Sequence, residues 1–126
     1  MDAALAAEAE MEDVFYYGVQ TPVHALGLLC ERIEGGLFTG DVLEQIEARI
    51  RSASVVIADL TDADPMVYLQ LGLAWGSNRP TILLAKEGER IRFDTPGQSL
   101  LTYNRIKDLE TALAEQLDAL KAKGTL

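Results

Sequence analysis

The stretch that decides the fold is SVVIADLTDADPMVYLQLGLAWGSNRPTILLA, Ser54 to Ala85. Ser54 to Leu60 form a nearly continuous apolar run rich in β-branched residues, the composition of a parallel strand buried on both faces. Thr81 to Ala85 repeat that signature after Pro80. The segment from Pro65 to about Asn78 predicts a helix, with Asp64 placed to cap it and Pro65 suited to its first turn. Strand, helix and strand then form one right-handed βαβ unit.

Working outward, Val42, Leu43, Ile46 and Ile50 recur at helical spacing between Asp41 and Arg51, with Thr39 or Asp41 as the cap and Glu44, Glu47 and Arg51 turned outward. LLCERI, Leu28 to Ile33, lies between Gly27 and the Gly35-Gly36 pair and has the length of a strand. Ser99 to Tyr103 predict a shorter strand. Ile106, Leu109, Leu113, Leu117 and Leu120 mark an amphipathic helix running to about Lys121. The Ala- and Glu-rich start predicts helix from about Ala3 to Tyr17, interrupted at Gly18 and Pro22. Residues 23–27 then read as a short second helix capped by Thr21 or as the continuation of a kinked one. Alternation of strands and helices argues for a single doubly wound α/β domain spanning residues 1–126.

Composition narrows the possible partners. Twenty acidic residues against eleven basic ones give a formal charge of −9, so the positive field that would draw nucleic acid or an anionic membrane surface is missing. Cys30 is the single cysteine, which rules out an intrachain disulfide and a cysteine-rich metal site and fits a reducing compartment. With no apolar run of membrane-spanning length and no secretory signal pattern, the expected location is cytoplasmic. No metal and no cofactor are expected.

In an open parallel sheet, ligands bind beyond the carboxyl ends of the strands, where helix N-termini point at the crevice. That rule selects Asp59, Thr61, Asp64 and Met66. Asp59 is placed either to accept from ribose hydroxyls or to accept from loop amides, and Asp64 to cap the helix. Gln70 stands one turn beyond Met66 among Leu69, Leu71 and Leu73. A polar amide there must reach the crevice or find partners inside, because an unpaired buried amide costs roughly 1–3 kcal/mol. Gly72 and Gly76 are read as allowing close packing of this helix. Tyr16, Tyr17 and Gly18 offer a nucleobase-lining edge, with core packing as the alternative. Trp75, His24 and Cys30 are read first as packing or surface residues. Arg92, in a loop with Arg90 and Asp94, is placed either to meet a phosphate or to be solvated.

The VIADLTDADPMVYLQLGLAWGSNRPTILL segment resembles the nucleoside 2-deoxyribosyltransferase-like proteins and the bacterial nucleotide-binding proteins related to them and to Toll/interleukin-receptor domains. Those proteins typically read IADLTGxNPNVFYELGxAxxxGKPVILL in this place. The runs VFYYGVQTPVHALGLLCERIE, FTGDVLEQIEARIRSA and RFDTPGQSLLTY are also similar, so the resemblance extends from about Val14 to the C-terminus. It implies a three-layer, flavodoxin-like parallel sheet of about four strands with helices on both faces, and a nucleoside, nucleotide or NAD-like ligand in the crevice. In active members a helix Glu cleaves or exchanges an N-glycosidic bond, and Gln70 occupies that catalytic position. An amide carries no charge and is a very poor nucleophile.

Two departures follow from the same resemblance. Activity is expected to be lost or impaired at Gln70; the alternatives are an active N-glycosidase or transferase in which Glu was deliberately changed to Gln, and a non-catalytic assembly module. The usual first strand is also expected to be lacking, since MDAALAAEAEMED has no strand pattern; a truncated start would look the same. In a 2-1-3-4-5 order that gap leaves LLCERI either paired directly with SVVIADL or waiting for a strand from another chain. A homo-oligomer is accordingly expected.

Overall fold

The computed structural model describes residues 2–6, 13–33, 40–61, 65–89 and 100–126. Strands β1 (Asp2–Ala6), β2 (Leu29–Ile33), β3 (Val55–Asp59), β4 (Thr81–Lys86) and β5 (Leu100–Tyr103) form one sheet in the order β2-β1-β3-β4-β5. Every neighbouring pair is parallel. A π-helical segment (Val14–Gln20) leads into α1 (Thr21–Ala25), and α2 (Gly40–Ser52), α3 (Pro65–Gly76) and α4 (Ile106–Ala122) complete the chain.

The first strand is therefore present, contrary to expectation, and it is central. Ala4 is paired with Glu31 of β2 on one side and with Val56 of β3 on the other. The sheet has five strands rather than about four, and β2 needs neither β3 nor another chain as a partner. The segment DAALA carries no strand signature because alanine favours helix when local propensity decides. Here two flanking ladders decide, and such tertiary context routinely overrides weak local preference.

The predicted helix over Ala3 to Tyr17 is thus a strand over Asp2–Ala6 and helical from Asp13, while residues 7–12 lie outside the described residues. Gly18 and Pro22 widen the helix instead of ending it. Pro22 has no N–H to give the carbonyl four residues back, and the Thr21 hydroxyl donates to the carbonyl of Tyr16 at 3.1 Å, five residues back. Both features suit the wider π turn.

Alternate residues of the inner strands feed opposite layers. Val55, Ile57, Ile82 and Leu84 pack with Phe15, Val19, Val23, Leu109, Leu113 and Leu117 under the π segment, α1 and α4. Val56, Ala58 and Leu83 serve the other side, against Ile46, Ile50 and Ala74 or against Val67 and Leu71 of α2 and α3. Gly18 is the glycine that permits close approach, since a Cβ there would lie 2.7 Å from Leu109 Cδ2. Gly72 and Gly76 do not have the packing role expected of them: a Cβ at either position meets no atom within 4 Å. Among the described residues, no helix is long and apolar enough to cross a membrane.

A proline at Ala4 separates the two conformations of the N-terminus. In the first turn of a helix it would be tolerated, whereas in a central strand it removes a ladder donor. Ala4→Pro is expected to abolish cooperative thermal unfolding or to lower Tm by at least about 10 °C. An unchanged Tm would contradict the placement of β1.

Candidate functional site

The strand order places a topological switch between β1 and β3. The chain leaves β1 toward β2 through the π segment and α1 on one face, and leaves β3 toward β4 through α3 on the other. At such a point the loops diverge beyond the carboxyl ends and open a crevice. Ala6 is in register with Ala58, so Asp59 stands at the carboxyl end of β3 beside this switch.

Asp59 is 1% exposed, and both of its carboxylate oxygens accept hydrogen bonds from the protein. The Thr61 N–H donates to Oδ1 at 2.9 Å, and the Tyr103 hydroxyl donates to Oδ2 at 2.7 Å. Thr61 is itself held, because its Oγ1 accepts from the Lys86 N–H at 2.8 Å. One side-chain network therefore joins the carboxyl ends of β3, β4 and β5. Tyr103 lies in the layer beneath α4 with Val55 and Ile57, so the Asp59 carboxylate is held on that side of the sheet.

Burial pushes the Asp59 carboxyl above its ordinary value, while the donors Thr61 and Tyr103 work in the opposite sense. Burial also raises the Tyr103 hydroxyl well above its ordinary value, reinforced by the neighbouring Asp59. Tyr103 consequently stays protonated and remains a donor throughout the physiological range.

Gln70 belongs to the opposite layer. In the second turn of α3 it falls between Val67 and Ala74 on the helix face that packs onto the sheet, and it is 2% exposed. Its Oε1 is buried without a hydrogen-bond partner. That oxygen has thus found neither the internal partner nor the open solvent that would satisfy it. Met66, one turn earlier, is half-buried, and Thr61 is buried at the sheet edge. Asp64 lies outside the described residues, as do Arg90, Arg92 and Asp94.

The other candidates are dispersed. Tyr17 is exposed, and Gly18 faces Leu109 and Ile106 of α4 in the interior of the helix layer. His24 is exposed and Cys30 half-buried on β2. Trp75 donates its Nε1–H to Thr81 Oγ1 at 3.0 Å, at the amino end of β4 and so at the wrong end of the sheet for the crevice. There it lines an open cleft of about 420 Å³ with Asn78, Arg79, Pro80 and Thr81. Among the described residues, no three His, Cys, Asp or Glu side chains gather as a metal-holding group. Tyr103 went unnoticed in the sequence because its partner is 44 residues away; only the polar end of an otherwise short apolar strand marked it.

Two stability measurements follow from this geometry. Gln70→Met fills nearly the same volume and removes the unpaired acceptor, so urea unfolding is expected to show a gain of about 1–3 kcal/mol; a loss would mean that the amide is satisfied in the free protein. Asp59 binds its proton more tightly when folded, so its contribution is fully present below the ordinary value of 3.8 and declines as pH rises through the elevated folded value. The difference in unfolding free energy, natural protein minus Asp59→Asn, should therefore decrease as pH is raised above 3.8. An increase over that range would contradict the burial effect.

Neither a protein-family model nor a curated protein sequence matches the chain. Solved structures do. The chain is similar to the CMP N-glycosidase BcmB of Clostridium botulinum, with a TM-score of 0.68, 19% identity, and coverage of 94% of this chain and 98% of that one. It is also similar to the 2-deoxyribosyltransferase of Bacillus psychrosaccharolyticus, with a TM-score of 0.63, 17% identity, and coverage of 87% and 90%. A response regulator receiver domain protein of Bacillus halodurans superposes with a TM-score of 0.56 at 13% identity, covering 91% and 95%. These likenesses show a three-layer, flavodoxin-like α/β fold similar to those of a CMP N-glycosidase and a 2-deoxyribosyltransferase.

Proposed function

We propose that this chain binds a nucleoside or nucleotide in the crevice at the carboxyl ends of β1 and β3, and that it cleaves the N-glycosidic bond slowly or not at all. The observation that carries this reading is the orphaned Oε1 of Gln70, which is buried on α3 without a partner. A buried acceptor left unmade costs free energy in the empty protein and recovers it when a donor arrives. The hydroxyls of a ribose are such donors. The activities of the two similar enzymes, a CMP N-glycosidase and a 2-deoxyribosyltransferase, give the ligand class its chemical context.

The same residue argues against turnover. Cleavage of an N-glycosidic bond builds positive charge at the anomeric carbon, and a carboxylate serves both as nucleophile and as counter-charge. The amide of Gln70 supplies neither. Asp59 does not substitute for it, because its carboxylate is held by Thr61 and Tyr103 on the α4 side of the sheet. The remaining contacts in this reading come from Met66, Thr61 and Asp64. An assembly role loses its motive, since the supposed acidic N-terminal helix begins as β1 and fills the gap between β2 and β3.

Nucleosides, nucleoside 5′-monophosphates and NAD, each titrated to millimolar concentration, test the proposal through the thermal transition. At least one is expected to raise Tm, since a ligand at about 100 times its Kd adds about 2.7 kcal/mol; no shift with any of them would overturn binding. Gln70→Glu is expected to raise the rate of base release from the ligand that binds by at least about 100-fold, the scale lost when a charge-stabilising group is removed from an active site. Equal rates for the two proteins would contradict the role given to Gln70.

A further inference from the structure

We propose that Tyr103 is a positioning residue of the crevice, acting through Asp59 and Thr61 to hold the turn that leads into α3. The proposal rests on the nucleotide-binding reading, but the contacts behind it are separate from Gln70. Tyr103 is 4% exposed at the last position of β5, and its hydroxyl reaches over β4 to Asp59 Oδ2 at 2.7 Å. The other oxygen of that carboxylate receives the Thr61 N–H at 2.9 Å, and Thr61 Oγ1 receives the Lys86 N–H at 2.8 Å. Leu60, between them, gives its N–H to Leu84 at 2.8 Å. The chain leaving β3 is thus pinned at consecutive residues, and Pro65 opens α3 only four residues beyond Thr61.

The arrangement exceeds what packing alone would require. A phenyl ring would fill the same place among Leu109, Leu113 and Ile82, yet a hydroxyl is present and is aimed at the one buried carboxylate among the described residues. Removing it leaves Asp59 Oδ2 buried without its donor. The carboxylate is then protonated, which weakens the acceptor that Thr61 uses, or turns away, which releases Thr61. Besides Tyr103 and the Thr61 donors, Glu89 past the end of β4 is the charged group that acts on Asp59, and it too disfavours the ionised form. The hydroxyl of Tyr103 therefore favours the accepting form of Asp59 against the burial that disfavours it, and the acceptor keeps the turn in place.

The test compares the unaltered chain with Tyr103→Phe and Thr61→Val, which break the network at opposite ends with little change of shape. Amide hydrogen exchange at Thr61 and Lys86 should quicken in both variants, at least tenfold, while exchange in the middle of β3 and β4 stays slow. Affinity for the nucleoside 5′-monophosphate that stabilises the unaltered protein best should fall at least tenfold, measured well below either variant's Tm. In Tyr103→Phe the acid limb of the binding profile should also move to higher pH, because Asp59 has lost a donor that favoured its ionised form.

A merely structural hydroxyl would lower Tm and leave both the affinity and the pH profile in place; that result overturns the proposal, as does unchanged exchange at Thr61 and Lys86. Should the unaltered chain bind no nucleotide, the nucleotide reading falls and the positioning role with it, while the exchange data still decide whether the network holds the turn. Should Tyr103→Phe fail to fold, Thr61→Val carries the same exchange and affinity comparison.

Discussion

The rest of this molecule depends on the pairing of residues 2–6 between β2 and β3. Without that strand β2 has no neighbour, the switch in strand order disappears, and no crevice forms between diverging connections. With it, the register that sets Ala6 beside Ala58 brings the carboxyl ends of all five strands to one edge, and Asp59, Thr61 and Tyr103 lie on or just beyond that edge. The segment responsible is built largely of alanine, and its conformation is fixed by two ladders rather than by its own preference.

Two of the buried polar side chains, Asp59 and Gln70, are held differently. Asp59 is fully engaged: an N–H on one oxygen, a hydroxyl on the other, and a second hydrogen bond tying Thr61 to β4. Gln70, on the opposite layer, is buried to the same degree with its carbonyl oxygen unpaired. Satisfied buried networks rigidify, whereas an unsatisfied one is a place where a partner from outside gains more than it would elsewhere. On the proposed reading, the division of labour is a rigid edge on the α4 side and a receptive group on the α3 side, with the charge needed for bond cleavage absent from the receptive group.

Much of this was legible in the sequence. Val55 to Asp59, Thr81 to Ala85 and the leucines of α4 announce themselves through continuous apolar runs or helical spacing, because burial on both faces or on one stripe leaves a periodic record. The isolation of Gln70 among leucines marked it as exceptional for the same reason. What stayed hidden was set by distant partners. The strand DAALA depends on residues in β2 and β3, the Tyr103 hydroxyl meets a carboxylate 44 residues away, and Gly18 owes its place to Leu109 on the last helix. None of these contacts leaves a local pattern. Gly72 and Gly76, which did look like packing glycines, face open space.

The central claim is that Gln70 Oε1 is an acceptor waiting for a ligand hydroxyl. It is tested most directly by a crystal structure of the chain with a bound nucleoside 5′-monophosphate. The account predicts a ribose hydroxyl within hydrogen-bond distance of Gln70 Oε1, with Asp59 still bonded to Thr61 and Tyr103. A nucleotide bound elsewhere, or Gln70 Oε1 paired to a protein donor with the ligand in place, would contradict it.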